Sequence, residues 1–208
     1  MIPVKILAVR YLANASPALA EGLGAPKGYR CLGMLTTDSD DATYIALDAA
    51  TKAAEVEVVY GRSFYAGAAN ASTPNAGEVI GILAGATPGA VKSGMEAAVS
   101  ALNRVGFEEV GGVPYLAHTV SSVGSFLAKE AGVRPGSAVA YLIAPPLESM
   151  YALDAALKAA DVKLCKLYSP PSETNFGGAL LSGTQSACDA ACAAFAQAVA
   201  EVAGRPKG

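Results

Sequence analysis

The chain has no tryptophan, one histidine, four cysteines and few charges, which make up 16% of its 208 residues. A single histidine, His118, rules out multi-histidine metal centres and most histidine-based triads by arithmetic; what remains is a lone strand residue with a structural role. Cys31, Cys165, Cys188 and Cys192 include no CxxC pair, and Cys188 and Cys192 stand four apart on an Ala-rich helix, as small packing residues do. No apolar run approaches the roughly 20 residues of a membrane-spanning helix. Met1 to Lys5 lacks the features of a secretory leader, so a cytoplasmic protein is expected. A net charge of −3 and a pI near 5.2 provide no basic field for nucleic acid. GxGxxG, GxxxxGK[ST] and GxSxG are all missing, and no catalytic constellation is left. An enzyme is not expected.

What the chain does have is apolar residues, at 52% with a mean hydropathy of +0.36. Such a weakly charged exterior favours association over a free monomer. It also has a repeat: DAATKAAEV at Asp48–Val56 returns as DAALKAADV at Asp154–Val162, 106 residues later. A period of that size points to duplication of a whole folding unit and not to a solenoid. Two domains are therefore expected, over residues 1–106 and 107–208.

Read in order, the first copy gives strand 4–10, a short helix opened by Ser16-Pro17, strand 30–36, a helix over 40–54, strand 56–60, a long loop 61–77, strand 78–84 and a helix from Thr87-Pro88 to about Arg104. The second copy repeats the order with strands from Tyr115, at 138–144, 162–168 and 176–182, and helices over 124–131, after Pro145-Pro146 and over 185–203. Residues 105–114 are expected to form a mobile linker. Setting Gly85 against Gly183 lowers the offset by eight residues, the extra length of the first copy's loop. Each half is β-α-β-α-β-β-α, an α+β pattern with a mainly antiparallel sheet and helices on one side.

These residues carry a likeness. The run helix-Lys-Ala-Ala-x-Val-strand, followed after a loop by strand-Gly and Ala90-Val91-Lys92-Ser93-Gly94, resembles the bacterial microcompartment shell domain. The whole chain, and especially GEVIGILAG, AYLIAPPLE, PSETNF and GTQSAC, is similar to the L-type shell proteins of ethanolamine-utilisation microcompartments. The resemblance implies two tandem, circularly permuted ferredoxin-like shell domains. It further implies a homotrimer that mimics a hexamer and tiles with other shell proteins, a gated central pore, and smaller pores within each subunit that pass small-molecule metabolites. A second possibility is a soluble trimeric sensor of small amines with the same fold. No cofactor is required; ethanolamine is the candidate ligand.

Lys52 and Lys158 occupy matching helix ends, where the helix dipole favours a cation; the resemblance gives them to the edge of the tile. Counting back from Tyr44 and Tyr151 sets Asp41 against Glu148. A helix-capping role fits Asp38 and Asp40 best, while the resemblance places Asp40, Asp41 and Glu148 along a small pore suited to a protonated amine. Asp38 to Asp41 lacks the glycine and distant glutamate of a calcium loop. Glu78, Glu173 and Thr174 are further ligand candidates, with turn chemistry as the alternative. The loop from Gly61 to Gly77 is long enough to suggest function, and its Phe64 and Tyr65, with Phe107, are assigned to the gate.

Overall fold

Each half of the chain carries an antiparallel sheet. The computed structural model describes residues 1–63, 77–170 and 175–207. Contacts divide it into a first unit, Pro3–Val105 with Gly124–Leu127, and a second, Met1–Ile2, Gly106–Val123 and Ala128–Gly208.

In the first unit, β1 (Ile6–Leu12), β2 (Cys31–Thr37), β3 (Val56–Ser63) and β4 (Val79–Gly85) lie in the order β1-β2-β4-β3. α2 (Asp40–Ala53) and α3 (Pro88–Leu102) pack against each other and on this sheet. Period-two alternation turns Gly33 and Gly81 toward the helices. A methyl group at Gly33 would press on Met95 of α3, and one at Gly81 on Leu47 of α2. Small strand residues thus make room for large helix residues, in keeping with close packing. The opposite face, with Leu32, Ile82 and Ala84, is partly covered by residues on either side of α1 (Pro17–Gly22): Ala15 before it and Leu23, Ala25 and Tyr29 after it.

In the second unit, β5 (Glu108–Val110), β6 (Val113–Val120), β7 (Ala138–Ala144), β8 (Val162–Tyr168) and β9 (Gly177–Gly183) run in the order β5-β6-β7-β9-β8. α5 (Pro146–Ala159) and α6 (Gln185–Gly204) pack on it, and α4 (Ser125–Ala131) precedes β7. α6 buries Cys188, Ala191, Cys192, Phe195, Ala198 and Val199, one stripe at helical spacing. The two cysteines belong to that core, as their spacing suggested.

The expected mobile linker is instead a hairpin. Val110 pairs with Val113, and Gly111 and Gly112 adopt φ of 58° and 81°. Two consecutive residues at positive φ are the requirement of the tight hairpin turn that matches strand twist, so these glycines fix the chain and do not loosen it. β3 also runs three residues past Tyr60, to Ser63, taking Gly61 out of the expected loop.

Pairing fixes the register of the repeat. Gly85 faces Cys31 and Val56; Gly183 faces Ala138 and Val162. α2 and α5 are both 14 residues long and start at Asp40 and Pro146, so they keep the 106-residue offset throughout. The buried pairs Thr43/Ser149, Ala46/Ala152 and Ala50/Ala156 agree with it. Asp41 therefore corresponds to Leu147, and Glu148 to Ala42. The expected match of Asp41 with Glu148 needs an extra residue, which a continuous helix does not accommodate.

Candidate functional site

The acidic residues converge at one end of the first sheet, where β2 runs into α2. The carboxylate of Asp38 accepts from the backbone N–H of Lys5 at 2.8 Å, and its own N–H donates to the Lys5 carbonyl at 3.2 Å. Asp38 thus ties down the start of β1 and does not cap α2. The N-cap residue is Ser39, whose side chain makes no capping bond. Ser39 is held through its backbone: its N–H donates to Thr37 Oγ1 at 3.1 Å, and Thr37 Oγ1 meets Thr43 Oγ1 at 2.7 Å in the core.

Asp40, the first residue of α2, is buried at 8% exposure. One carboxylate oxygen accepts from the Asp41 N–H at 2.9 Å; Asp40 thus occupies one free donor of the first turn without being the N-cap residue. The other accepts from the Ser63 hydroxyl at 2.7 Å. Ser63 ends β3 and also approaches the carbonyl of Glu78 at 3.4 Å; the Glu78 N–H donates to the Thr37 carbonyl at 2.8 Å. Gly77 allows this approach, since a Cβ there would collide with that same carbonyl.

Burial pushes the Asp40 carboxyl above its ordinary value, against its hydrogen bonds, which act to lower it. Glu78 is raised first by burial and then by the negative charges of Asp40 and Asp38. Among the described residues, no lysine or arginine forms an ion pair with Asp40 or Glu78. The cluster is therefore short of positive charge, and a small cation with hydrogen-bond donors would relieve it. Among the described residues, no group of three or more His, Cys, Asp or Glu is arranged to hold a metal ion.

The remaining candidates are dispersed. Asp41 is buried in the first turn of α2 in the first unit. Glu148 is half-buried in the first turn of α5 in the second, beside the fully buried Ser149. Phe107 packs its ring against Phe176, with centroids 5.8 Å apart. Phe64, Tyr65, Glu173 and Thr174 lie outside the described residues. Lys52 pairs with Asp48 at 3.3 Å and Lys158 with Asp154 at 2.6 Å, each one turn back on its own helix. Sequence reasoning passed over Ser63 as a ligand of Asp40, and no local pattern announces a contact 23 residues away.

The two copies of the repeat differ sharply at the aspartate. Asp48 is fully buried and accepts from the N–H groups of Gly124 at 2.7 Å and Leu127 at 2.9 Å. Thr51 Oγ1 accepts from the Ser125 N–H at 3.1 Å. The first turn of α4 thus takes its cap from side chains of α2. Asp154 is exposed.

Two such sheets, each carrying a pair of packed helices, with a duplicated Lys-bearing helix, make a tandem α+β protein, the architecture that the resemblance to microcompartment shell proteins implies. The BMC domain model matches residues 31–113. The chain is 57% identical over 212 residues to the bacterial microcompartment shell protein EutL of Clostridium perfringens, covering 100% of this chain and 98% of that protein. The crystal structure of the C. perfringens protein superposes with a TM-score of 0.95 over 100% of this chain and 96% of the other. The ethanolamine utilisation protein EutL of Leptotrichia buccalis, at 55% identity, gives 0.95 over 100% and 97%. The trimeric bacterial microcompartment shell protein PduB, at 18% identity, gives 0.80 over 96% and 89% and shares the fold. The chain belongs to the EutL family of microcompartment shell proteins. It is a structural protein and not an enzyme. Among the described residues, no helix is long and apolar enough to cross a membrane.

Proposed function

We propose that three copies of this chain form a pseudohexameric tile that joins other shell proteins and passes small metabolites or larger cofactors through a gated central opening. In this reading Phe64, Tyr65 and Phe107 contribute to the gate, and Lys52 and Lys158 lie at the tile edge. The acidic cluster of the first unit takes protonated ethanolamine: Asp40 and Glu78 supply the negative charge, with Asp41 as a further contact, while Glu148, Glu173 and Thr174 stay separate candidates for ligand contact in the second unit. The reading is supported by family membership and, at the site, by one observation above all: two carboxylates drawn together at the end of β2 with no ion-pairing cation among the described residues. An ammonium group supplies both the missing charge and donors for carboxylate oxygens.

Calorimetric titration of ethanolamine into the wild type and into Asp40→Asn/Glu78→Gln tests the site. Binding is expected in the wild type, tightening as pH rises and the carboxyls ionise, and at least tenfold weaker in the double variant with unchanged circular dichroism. Equal affinity in the two proteins refutes the assignment. Asp41→Asn/Glu148→Gln, titrated in parallel, shows whether these two residues also contribute. For the tile, Lys52→Ala and Lys158→Ala are expected to weaken two-dimensional sheets in electron micrographs while the trimer persists.

A further inference from the structure

The first unit holds a cavity of 290 Å³ where β1 ends beside the first turns of α3, lined by Tyr11, Leu12, Cys31, Pro88, Val91 and Lys92 among others. Its origin is a matter of packing. Gly33 has no side chain, so Val91 and Met95 of α3 settle onto β2 at that point. Tyr11 faces Gly33 across the β1–β2 pair and so shares its face of the sheet, the one toward α3. α3 packs on β2 and β4, however, and Tyr11, on the outermost strand of the sheet, keeps 48% exposure. A corner between strand end and helix start is left open.

The second copy shows that the fold does not require this opening. Thr87 and Thr184 each accept from the N–H three residues on, and the buried stripe Val91, Gly94, Met95, Ala98, Ala101 and Leu102 of α3 returns 97 residues later as Cys188, Ala191, Cys192, Phe195, Ala198 and Val199 of α6. In the sheets, Leu12 faces Leu32 as Val120 faces Val139, and Cys31 faces Gly85 as Ala138 faces Gly183. Tyr11 therefore becomes Thr119, Ala13 becomes Ser121, Pro88 becomes Gln185 and Lys92 becomes Asp189. There α6 packs on β6, and Thr119 Oγ1 meets Cys192 Sγ at 3.4 Å, which brings strand and helix side chains together. One copy has a polar corner with a carboxylate beside it, and the other an open apolar corner with an ammonium.

We propose that the cavity binds a small molecule with an apolar body and a single anionic head. An apolar cavity of about 150 Å³ accepts a benzene ring, so this volume has room for a ring and a short substituent. The buried polar group of the lining, the Cys31 thiol, already donates to the Ala13 carbonyl at 3.0 Å, and the walls ask no hydrogen bonds of a ligand. Lys92 is the charged residue of the lining; it is 71% exposed, and its partner Glu96 stands 3.9 Å away, a weak pair that opens readily to a carboxylate. The N-terminal end of α3 adds partial positive charge at the same place. The site is distinct from the acidic cluster, which lies at the Thr37 and Val79 end of the β2–β4 pair, whereas the cavity lies at the Cys31 and Gly85 end.

Titration of para-fluorophenylacetate, followed by fluorine NMR, tests the site, with para-fluorophenylacetamide as the uncharged counterpart. The acidic cluster repels a carboxylate, so Asp40→Asn/Glu78→Gln should bind this probe as the wild type does. Saturable binding of both probes is expected in the wild type. Lys92→Gln should weaken the carboxylate roughly threefold, the scale of one exposed charge contact, and leave the amide unchanged. Ala13→Phe, which puts a ring into the cavity from an exposed position, should abolish binding of both with unchanged circular dichroism. No saturable binding in the wild type, or binding that persists in Ala13→Phe, overturns the site. Equal loss of both probes in Lys92→Gln overturns the anionic head. Binding confined to dissociated chains, with none in protein that light scattering shows to be assembled, means that another copy fills the cavity and also overturns the proposal.

Discussion

Asp48 accepts the Leu127 N–H at 2.9 Å from full burial, whereas its repeat partner Asp154 is 65% exposed and pairs with Lys158. Two identical residues in near-identical sequence therefore do different work. Replacing Asp48 with Ala orphans two N–H groups at the start of α4, a loss of about 2–3 kcal/mol by the usual cost of a missing cap and of unmet buried donors. Asp154→Ala removes one exposed ion pair and should stay within about 0.5 kcal/mol of wild type. Urea denaturation of the two variants measures the difference; equal losses would show that the buried cap contributes nothing.

Glycines separate in the same way. A Cβ on Gly178 would run into the backbone carbonyl of Leu142 across the β7–β9 pair, and backbone in a central strand cannot retreat. Gly178→Ala should cost about 1–3 kcal/mol, as overpacking does. Gly89, in the first turn of α3, has open space around its Cβ position, so Gly89→Ala should stabilise by up to about 1 kcal/mol through helix propensity. Melting temperatures that shift in opposite directions are the expected result.

The elements were legible in the sequence where chemistry is local. Thr87-Pro88 opens α3 with the Thr87 side chain accepting from Ala90 N–H at 3.2 Å, and strands 138–144 and 162–168 fall where their apolar runs placed them. The shell-domain likeness was legible because the repeat and its flanking strands extend over most of the chain. Three features were not legible, each for a physical reason. The Gly111-Gly112 turn reads as a flexible linker until Val110 is seen to pair with Val113. The match of Asp41 to Glu148 followed two tyrosines, but helix length and burial set the register one residue away. The cap on α4 spans 76 residues between Asp48 and Gly124, and no periodicity encodes a contact between side chain and distant backbone.

Thiol reactivity follows burial. The Cys192 thiol is pushed up to about 11, chiefly because burial disfavours the thiolate. Alkylation needs the thiolate, so relative to the unfolded chain Cys192 should react about a hundredfold more slowly for the pKa difference alone. Cys165 is only half-buried and should be modified first. Iodoacetamide labelling at pH 8 followed by peptide mass spectrometry checks the order; early modification of Cys192 in folded protein would contradict its placement in the α6 core.

The acidic cluster sets the pH dependence. Asp40 and Glu78 both have carboxyls raised in the folded state above ordinary values of 3.8 and 4.5. The folded chain therefore holds protons that the unfolded chain has already released. Stability from these groups is fully present below the ordinary values and is lost as pH rises through the raised ones. Asp40→Asn abolishes one such titration, so stability of the wild type relative to this variant should fall as pH increases from about 3.8, by no more than about 1.4 kcal/mol per pH unit for a single proton. Urea titrations at a series of pH values give this difference directly. A relative stability that rises with pH would mean that Asp40 is stabilised as an anion in the folded protein. Saturating ethanolamine provides the converse check: an ammonium beside the ionised carboxylates offsets their cost, so the downward slope should flatten in the wild type, whereas Asp40→Asn/Glu78→Gln, which lacks both titrations, should show the same pH dependence with and without ethanolamine.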